Sequence, residues 1–437
     1  MENLELVSTE PGLPLESAPI FGKTEPIPAD ASDRVFAGIT FLLGYGFIET
    51  FWSDAIQWKL KVFTMVYLCV VASYFYVKKK QMPRETYFWL GVVGILGLSY
   101  SEQGMIFPMI QILALILAAA YLVLCAGGNL LKEQKSSQWI LVDGWNAIIV
   151  VPFGNFFCNI RVLFSGDKEN EKDAPHPVRA VILGLVITIP LLAFILPLLG
   201  QADAHFAEIL RGLGQYVQED IMGTLIKFLL SIPVTAYLFG LFYGSLHQRK
   251  TDHFSDKTMN DAMEHSRIVP TLAFLTLLMV VCFVYLVFIG LQGSYLFSAF
   301  AGIRPESFTY AEYARQGFFE LCKVSVLNLT ILVVGNTVSR RGAQCDMALR
   351  LMNVLLSGLT VLLIMTAMSK MMLYISEYGL TVKRVDTMVF MVWLLITFGL
   401  TIRNQFRKLP LVRMSLFMGT IMYTVLCVLP VSWVINS

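Results

Sequence analysis

The sequence predicts an all-α protein, a polytopic bundle of about eleven transmembrane helices with its N-terminus inside and its C-terminus outside. Three observations lead there. Hydrophobic residues make up 56% of the chain and charged residues only 15%, whereas soluble domains run near 45–50% and 25%. The apolar residues collect into discrete runs, each near the ~20 residues a helix needs to cross the hydrocarbon layer. Lysine and arginine fall mainly in alternate connections between those runs, as cytoplasmic loops require.

Taken in order, the runs are 34–51, 60–77, 85–101, 106–126, 178–199, 221–246, 268–290, 309–335, 347–376, 384–404 and 411–435. They divide the chain into a polar tail (1–33), spans one to four (34–126), a cytoplasmic loop (127–177) and spans five to eleven (178–437). The tail carries Glu2, Glu5, Glu10, Glu16, Glu25, Asp30 and Asp33 among five prolines. That is the composition of a disordered segment, not of a basic-then-apolar signal peptide. Run three is short and contains Gly91, Gly94 and Gly97, small residues that let an internal helix approach its neighbours closely. Pro190, Pro197 and Pro233 fall inside runs five and six, where they kink helices. Residues 139–164 hold Trp145, Phe153, Phe156 and Phe157 around Pro152 and Gly154. They read as an interfacial helix in the cytoplasmic loop, with a re-entrant hairpin as the alternative. Residues 200–220 read as a short amphipathic surface helix with His205, Glu208 and Arg211 on one side.

With the N-terminus inside, 23 of the 33 basic residues fall in inside segments or at the inner ends of runs. Six fall outside or at the outer ends of runs: Lys59, Lys61, Arg211, Arg304, Lys383 and Arg384. Lys227, Arg315, Lys323 and Lys370 lie within spans. A further crossing at 139–164 would break this alternation.

Composition also limits function. The net charge of +2 gives no global basic bias toward nucleic acid. Seven scattered cysteines (Cys69, Cys125, Cys158, Cys282, Cys322, Cys345, Cys427) make neither a C-x-x-C pair nor an even framework, so a disulfide scaffold or zinc ribbon is not expected. The loop 247–267 collects His247, Asp252, His253, Asp256, Asp261, Glu264 and His265, but without a recognised ligand spacing. No G-x-x-x-x-G-K-[ST], H-E-x-x-H or G-x-S-x-G string occurs. No cofactor, metal site or catalytic set is expected, and an enzyme is less expected than a binder.

Ionisable side chains inside spans are expensive and mark function by default. Here they concentrate in runs eight to ten: Tyr310, Glu312, Tyr313, Arg315, Glu320 and Lys323 on run eight, Lys370, Tyr374, Glu377 and Tyr378 on run nine, and Arg384 opening run ten. Glu312 with Arg315, and Glu320 with Lys323, are spaced to share a helix face. The topology places Glu312, Arg315, Glu377 and Arg384 near the outer surface. Glu320 and Lys370 fall at similar depth nearer the bilayer centre, where they are expected to face each other or share one polar cavity. These residues are the candidates for a ligand or ion pathway. Packing charges and headgroup-level snorkelling are the structural alternatives.

The string Tyr310-Ala311-Glu312-Tyr313-Ala314-Arg315-Gln316-Gly317-Phe318 resembles a signature of a bacterial multi-spanning membrane family of unknown function. Tyr378-Gly379-Leu380-Thr381 followed by Arg384 resembles a second. The resemblance is clearest over spans seven to eleven and implies a bacterial inner membrane location, but no activity. The expectation is therefore a membrane protein that transports or binds a small polar or charged ligand, or a lipid headgroup, within the lipid bilayer. The alternatives are a partner or signalling subunit without transport, and a membrane transferase with an outward-facing site. No protein partner is indicated.

Overall fold

The computed structural model describes residues 30–101, 108–132, 135–164, 220–251, 256–297, 310–340 and 346–429, with scattered positions between 188 and 206. Residues 1–29 of the predicted tail, most of the run 178–199 and most of the surface helix at 200–220 lie outside the described residues, whereas Asp30 to Asp33, expected in the disordered tail, cap and open the first helix.

The described residues form helices throughout. They are α1 (Ala31–Trp52), α2 (Ile56–Val77), α3 (Arg84–Leu98), α4 (Pro108–Ala126), a short apolar run α5 (Ile140–Gly154), α6 (Cys158–Phe164), α7 (Asp220–Leu246), α8 (Asp256–His265), α9 (Thr271–Phe297), α10 (Tyr310–Val338), α11 (Asp346–Tyr378), α12 (Val382–Phe406) and α13 (Leu411–Val428). Among the described residues nine helices are long and apolar enough to cross a membrane: α1, α2, α4, α7, and α9 through α13. The third expected span is a helix of only 15 residues, about 22 Å long at 1.5 Å per residue and short of a ~30 Å hydrocarbon layer. The polar stretch from Ser99 onward ends it sooner than the expected boundary at 101.

The helices pack as two groups. In the first, α1 to α7 share one core, in which Phe36 stacks on Tyr74 at 3.6 Å and meets Phe242 edge-on at 5.4 Å. In the second, α9 to α12 share another, built on Phe274, Leu278, Phe318, Leu363 and Phe398. Helix α13 joins them. Its Phe417 stacks on Phe88 of α3 at 4.9 Å, and its Ser415 carbonyl accepts the Trp393 indole N–H of α12 at 2.9 Å.

Burying apolar side chains against each other gains little in lipid, so close packing and local hydrogen bonds hold such helices together. Gly97 supplies the first: a Cβ there would sit 2.2 Å from Thr64 Oγ1, so α3 meets α2 almost backbone to side chain. Gly94 lies against Leu68, whereas nothing stands within 4 Å of a Cβ at Gly91. Many buried hydroxyls satisfy themselves within their own helix, as Thr40 does on Phe36 O (2.7 Å) and Thr64 on Leu60 O (2.7 Å). Much of the outward surface of α9, including Val280, Phe283, Val284 and Leu291, is exposed and apolar. Lipid covers such a surface without cost.

Residues 140–154 are helical with one π-turn at Asn146–Val150, a widening typical of functional or strained helix segments. The run lies along α7. Tyr237 Oη donates to Ile148 O (3.0 Å), and Asn155 Nδ2 donates to Arg249 O (3.0 Å). Gly240 permits the contact, because a Cβ there would stand 2.5 Å from Pro152 O. Gly240→Val is expected to lower stability by about 1–3 kcal/mol through overpacking, measured by thermal unfolding in detergent. An unchanged midpoint would mean that the two segments do not touch there.

Candidate functional site

Two ends of the first group carry separate ionic clusters. At the end where α1 begins, Asp33 is fully buried. Its carboxylate accepts from Lys78 Nζ (2.8 Å), Tyr74 Oη (2.9 Å) and the Asp30 N–H (3.1 Å), and stands 3.5 Å from His247 Nε2. Asp30 N-caps α1, and Asp33 three residues on returns the bond to its backbone, the reciprocal arrangement of a capping box. At the same end Arg413 of α13 pairs with Glu85 of α3 (2.6 Å), whose other oxygen accepts the Ser136 N–H (2.8 Å). At the opposite end Glu49 of α1 meets Lys59 of α2 (2.5 Å) and Lys227 of α7 (2.7 Å).

Asp143 in α5 is also fully buried. Its Oδ1 accepts the Leu131 N–H (3.0 Å), and Oδ2 has no hydrogen-bond partner among the described residues. Burial pushes its pKa up to about 6. Cys158 of α6 is raised as well, again by burial.

In the second group the buried polar residues of α11 form a seam. Asn353 exchanges hydrogen bonds with Asn336 of α10 (2.9 Å). Further along, Asn328 of α10 donates to Thr360 (2.9 Å) and accepts from Tyr285 of α9 (2.8 Å). Ser357 lies between them, and Thr366 and Lys370 continue on an adjoining buried face, with Lys370 only 1% exposed.

The candidate residues divide accordingly. Tyr310, Glu312, Tyr313 and Arg315 belong to the first turns of α10, but their side chains lie outside the described residues. Glu320 and Lys323 are exposed on α10 while Lys370 is buried, so equal depth does not give Glu320 and Lys370 one environment. A helix sorts its residues by angle as well as by height. Tyr374, Tyr378 and Arg384 do come together. The Arg384 guanidinium lies 4.1 Å over the Tyr374 ring, Tyr374 and Tyr378 are 5.0 Å apart, and Arg384 donates to the carbonyls of Tyr378 (3.0 Å) and Gly379. Gly379, with φ of +73°, takes the left-handed conformation that ends α11. Arg384 thus caps the last carbonyls of that helix, where a cation is favoured. Glu377 is exposed.

Sequence reasoning missed the Asp33, Glu49 and Glu85 clusters and the asparagine seam. Two signals were present. The Asp30-x-x-Asp33 spacing fits a cap, and Lys227 lies inside an apolar run where a partner is required.

Helices of this length and composition, with charges gathered at their ends and polar seams inside, define a multi-pass integral membrane protein. The model of one protein family, described as Domain of unknown function (DUF4153), matches residues 37–437, and the chain belongs to that family. The match takes in the first helix group, where the resemblance rested only on the pattern of spans. No curated protein matches the chain, and no solved structure does.

Proposed function

We propose that this protein binds, and carries within or across the membrane, a small polar or charged ligand or a lipid headgroup, using the seam of the second helix group. The observation that carries the reading is Lys370, an ammonium-bearing side chain 1% exposed in a 33-residue apolar helix. Intramembrane cations of this kind line ligand and ion paths. Asn328, Tyr285 and Thr360 supply further groups that donate and accept hydrogen bonds, about 15 Å along α11 from Lys370. The aromatic-guanidinium cluster of Tyr374, Tyr378 and Arg384 stands at the end of the same helix. Tyr310, Glu312, Tyr313, Arg315 and Glu377 complete the proposed path at its ends, and the exposed Glu320 and Lys323 lie outside it. The setting is a bacterial inner membrane, with the end that holds Asp33, Lys78 and His247 facing the cytoplasm, as the distribution of basic residues favours.

The test is a thermal-shift screen of polar metabolites and lipid headgroup analogues on the detergent-purified protein. A ligand at about 100 times its Kd adds about 2.7 kcal/mol of stability, a shift of several degrees. Lys370→Met should abolish that shift, while Glu377→Gln at the exposed helix end should reduce it less. An equal shift in Lys370→Met would defeat the reading.

A further inference from the structure

The first helix group holds a cavity that the polar seam does not use. It measures about 410 Å³, within the size range of ligand pockets. Its walls include Phe47, Phe63, Tyr67, Ile116, Ala119 and Tyr237, with Phe153 and Phe156 from the α5 region closing one side. Nearly every wall atom is carbon, so a polar metabolite would lose its hydration there without replacement.

The position of this cavity specifies its contents. Phe51 and Leu60 line it at one limit, directly beside the ionic cluster of Glu49, Lys59 and Lys227. Trp52 and Trp58 are exposed at that same level, where tryptophan collects at membrane–water interfaces. From Lys59 the wall descends through Phe63 to Tyr67, about 12 Å along α2. From Lys227 it descends through Pro233 and Tyr237 to Leu241, about 21 Å along α7. A half-bilayer of hydrocarbon is about 15 Å deep. The cavity therefore begins at headgroup level and reaches to about the depth of one acyl chain.

We propose that the cavity is a binding site for one anionic phospholipid of the surrounding bilayer. An acyl chain lies between the aromatic walls, and the phosphate rests at Lys59 and Lys227, two cations that share the single Glu49 carboxylate and so keep a net positive charge there. The site is separate from the Lys370 seam, so either can fail without the other.

The experiment uses the full-length protein in a mild detergent with added phosphatidylglycerol, read by native mass spectrometry. One retained phosphatidylglycerol per chain is expected. Ala119→Phe, which fills the cavity, should lower its retention at least tenfold. Ile116→Phe provides a second filling variant should the first fail to fold. Lys59→Gln should lower retention of phosphatidylglycerol several-fold while leaving retention of uncharged diacylglycerol unchanged. Undiminished retention in a folded filling variant would mean loosely held boundary lipid, and would overturn the proposal. So would equal losses of both lipids in Lys59→Gln.

Discussion

Lys78→Met should destabilise the protein by about 3–5 kcal/mol, the usual cost of stranding one member of a buried ion pair. Asp33 is the group left behind. Its side chain is 0% exposed, whereas Lys78 retains 12%. Tyr74 and the Asp30 N–H still donate to it and His247 Nε2 stands 3.5 Å away, but none of the three carries the permanent charge of an ammonium. Adding Asp33→Asn to Lys78→Met should recover part of the loss, because an amide keeps some of the hydrogen bonds and removes the charge. Thermal unfolding of the wild-type, single and double variants measures both effects. A single variant as stable as wild type would show that Lys78 does not compensate Asp33.

Asp143→Asn should act in the opposite direction, and only above a certain pH. Asp143 has a pKa near 6 in the fold against 3.8 ordinarily, because burial penalises its charged form. Below about pH 4 the carboxyl is protonated in both folded and unfolded chains, and no penalty exists. Between about 4 and 6 the unfolded chain releases the proton while the folded one keeps it, so stability falls as pH rises. Above 6 the full cost is present, about 3 kcal/mol for a shift of this size. An asparagine can still accept the Leu131 N–H and carries no such cost. The variant should therefore match wild type near pH 4 and exceed it by about 2–3 kcal/mol near pH 8. A gain equal at both pH values would show that charge is not the cause.

Among the described residues, helices were legible wherever apolar runs were long. The run expected at 384–404 is the helix Val382–Phe406, and that at 347–376 is Asp346–Tyr378. Length and hydropathy suffice there because a span must satisfy its backbone internally. The site was legible only in part. Lys370 stood out because a charge in an apolar run is conspicuous by itself. Asp33 did not, since its meaning depends on Lys78 and His247, which lie on other helices and reach it only in the fold. Asn328 and Asn353 were overlooked because a neutral amide disturbs hydropathy little, though each needs partners once buried. The apolar cavity left no trace in the sequence. Its walls come from α1, α2, α3, α4, α7 and the α5 region, and each wall residue alone resembles any lipid-facing phenylalanine or isoleucine.

The bridge made by α13 bears on the timing of biosynthesis. Glu85 enters the growing chain 328 residues before Arg413, its ionic partner. At about 5–20 residues per second, that interval is roughly 15–65 seconds. Until it ends the α3 carboxylate has at most its Ser136 contact, itself 51 residues later in the chain, and the ring of Phe88 has no Phe417 to stack on. The first half of the molecule is thus inserted early and sealed late, by the helix that leaves the ribosome last among those described. A ribosome stalled after α12 would release a chain whose early helices are all present but whose α3 flank is open to lipid and to membrane quality-control proteases.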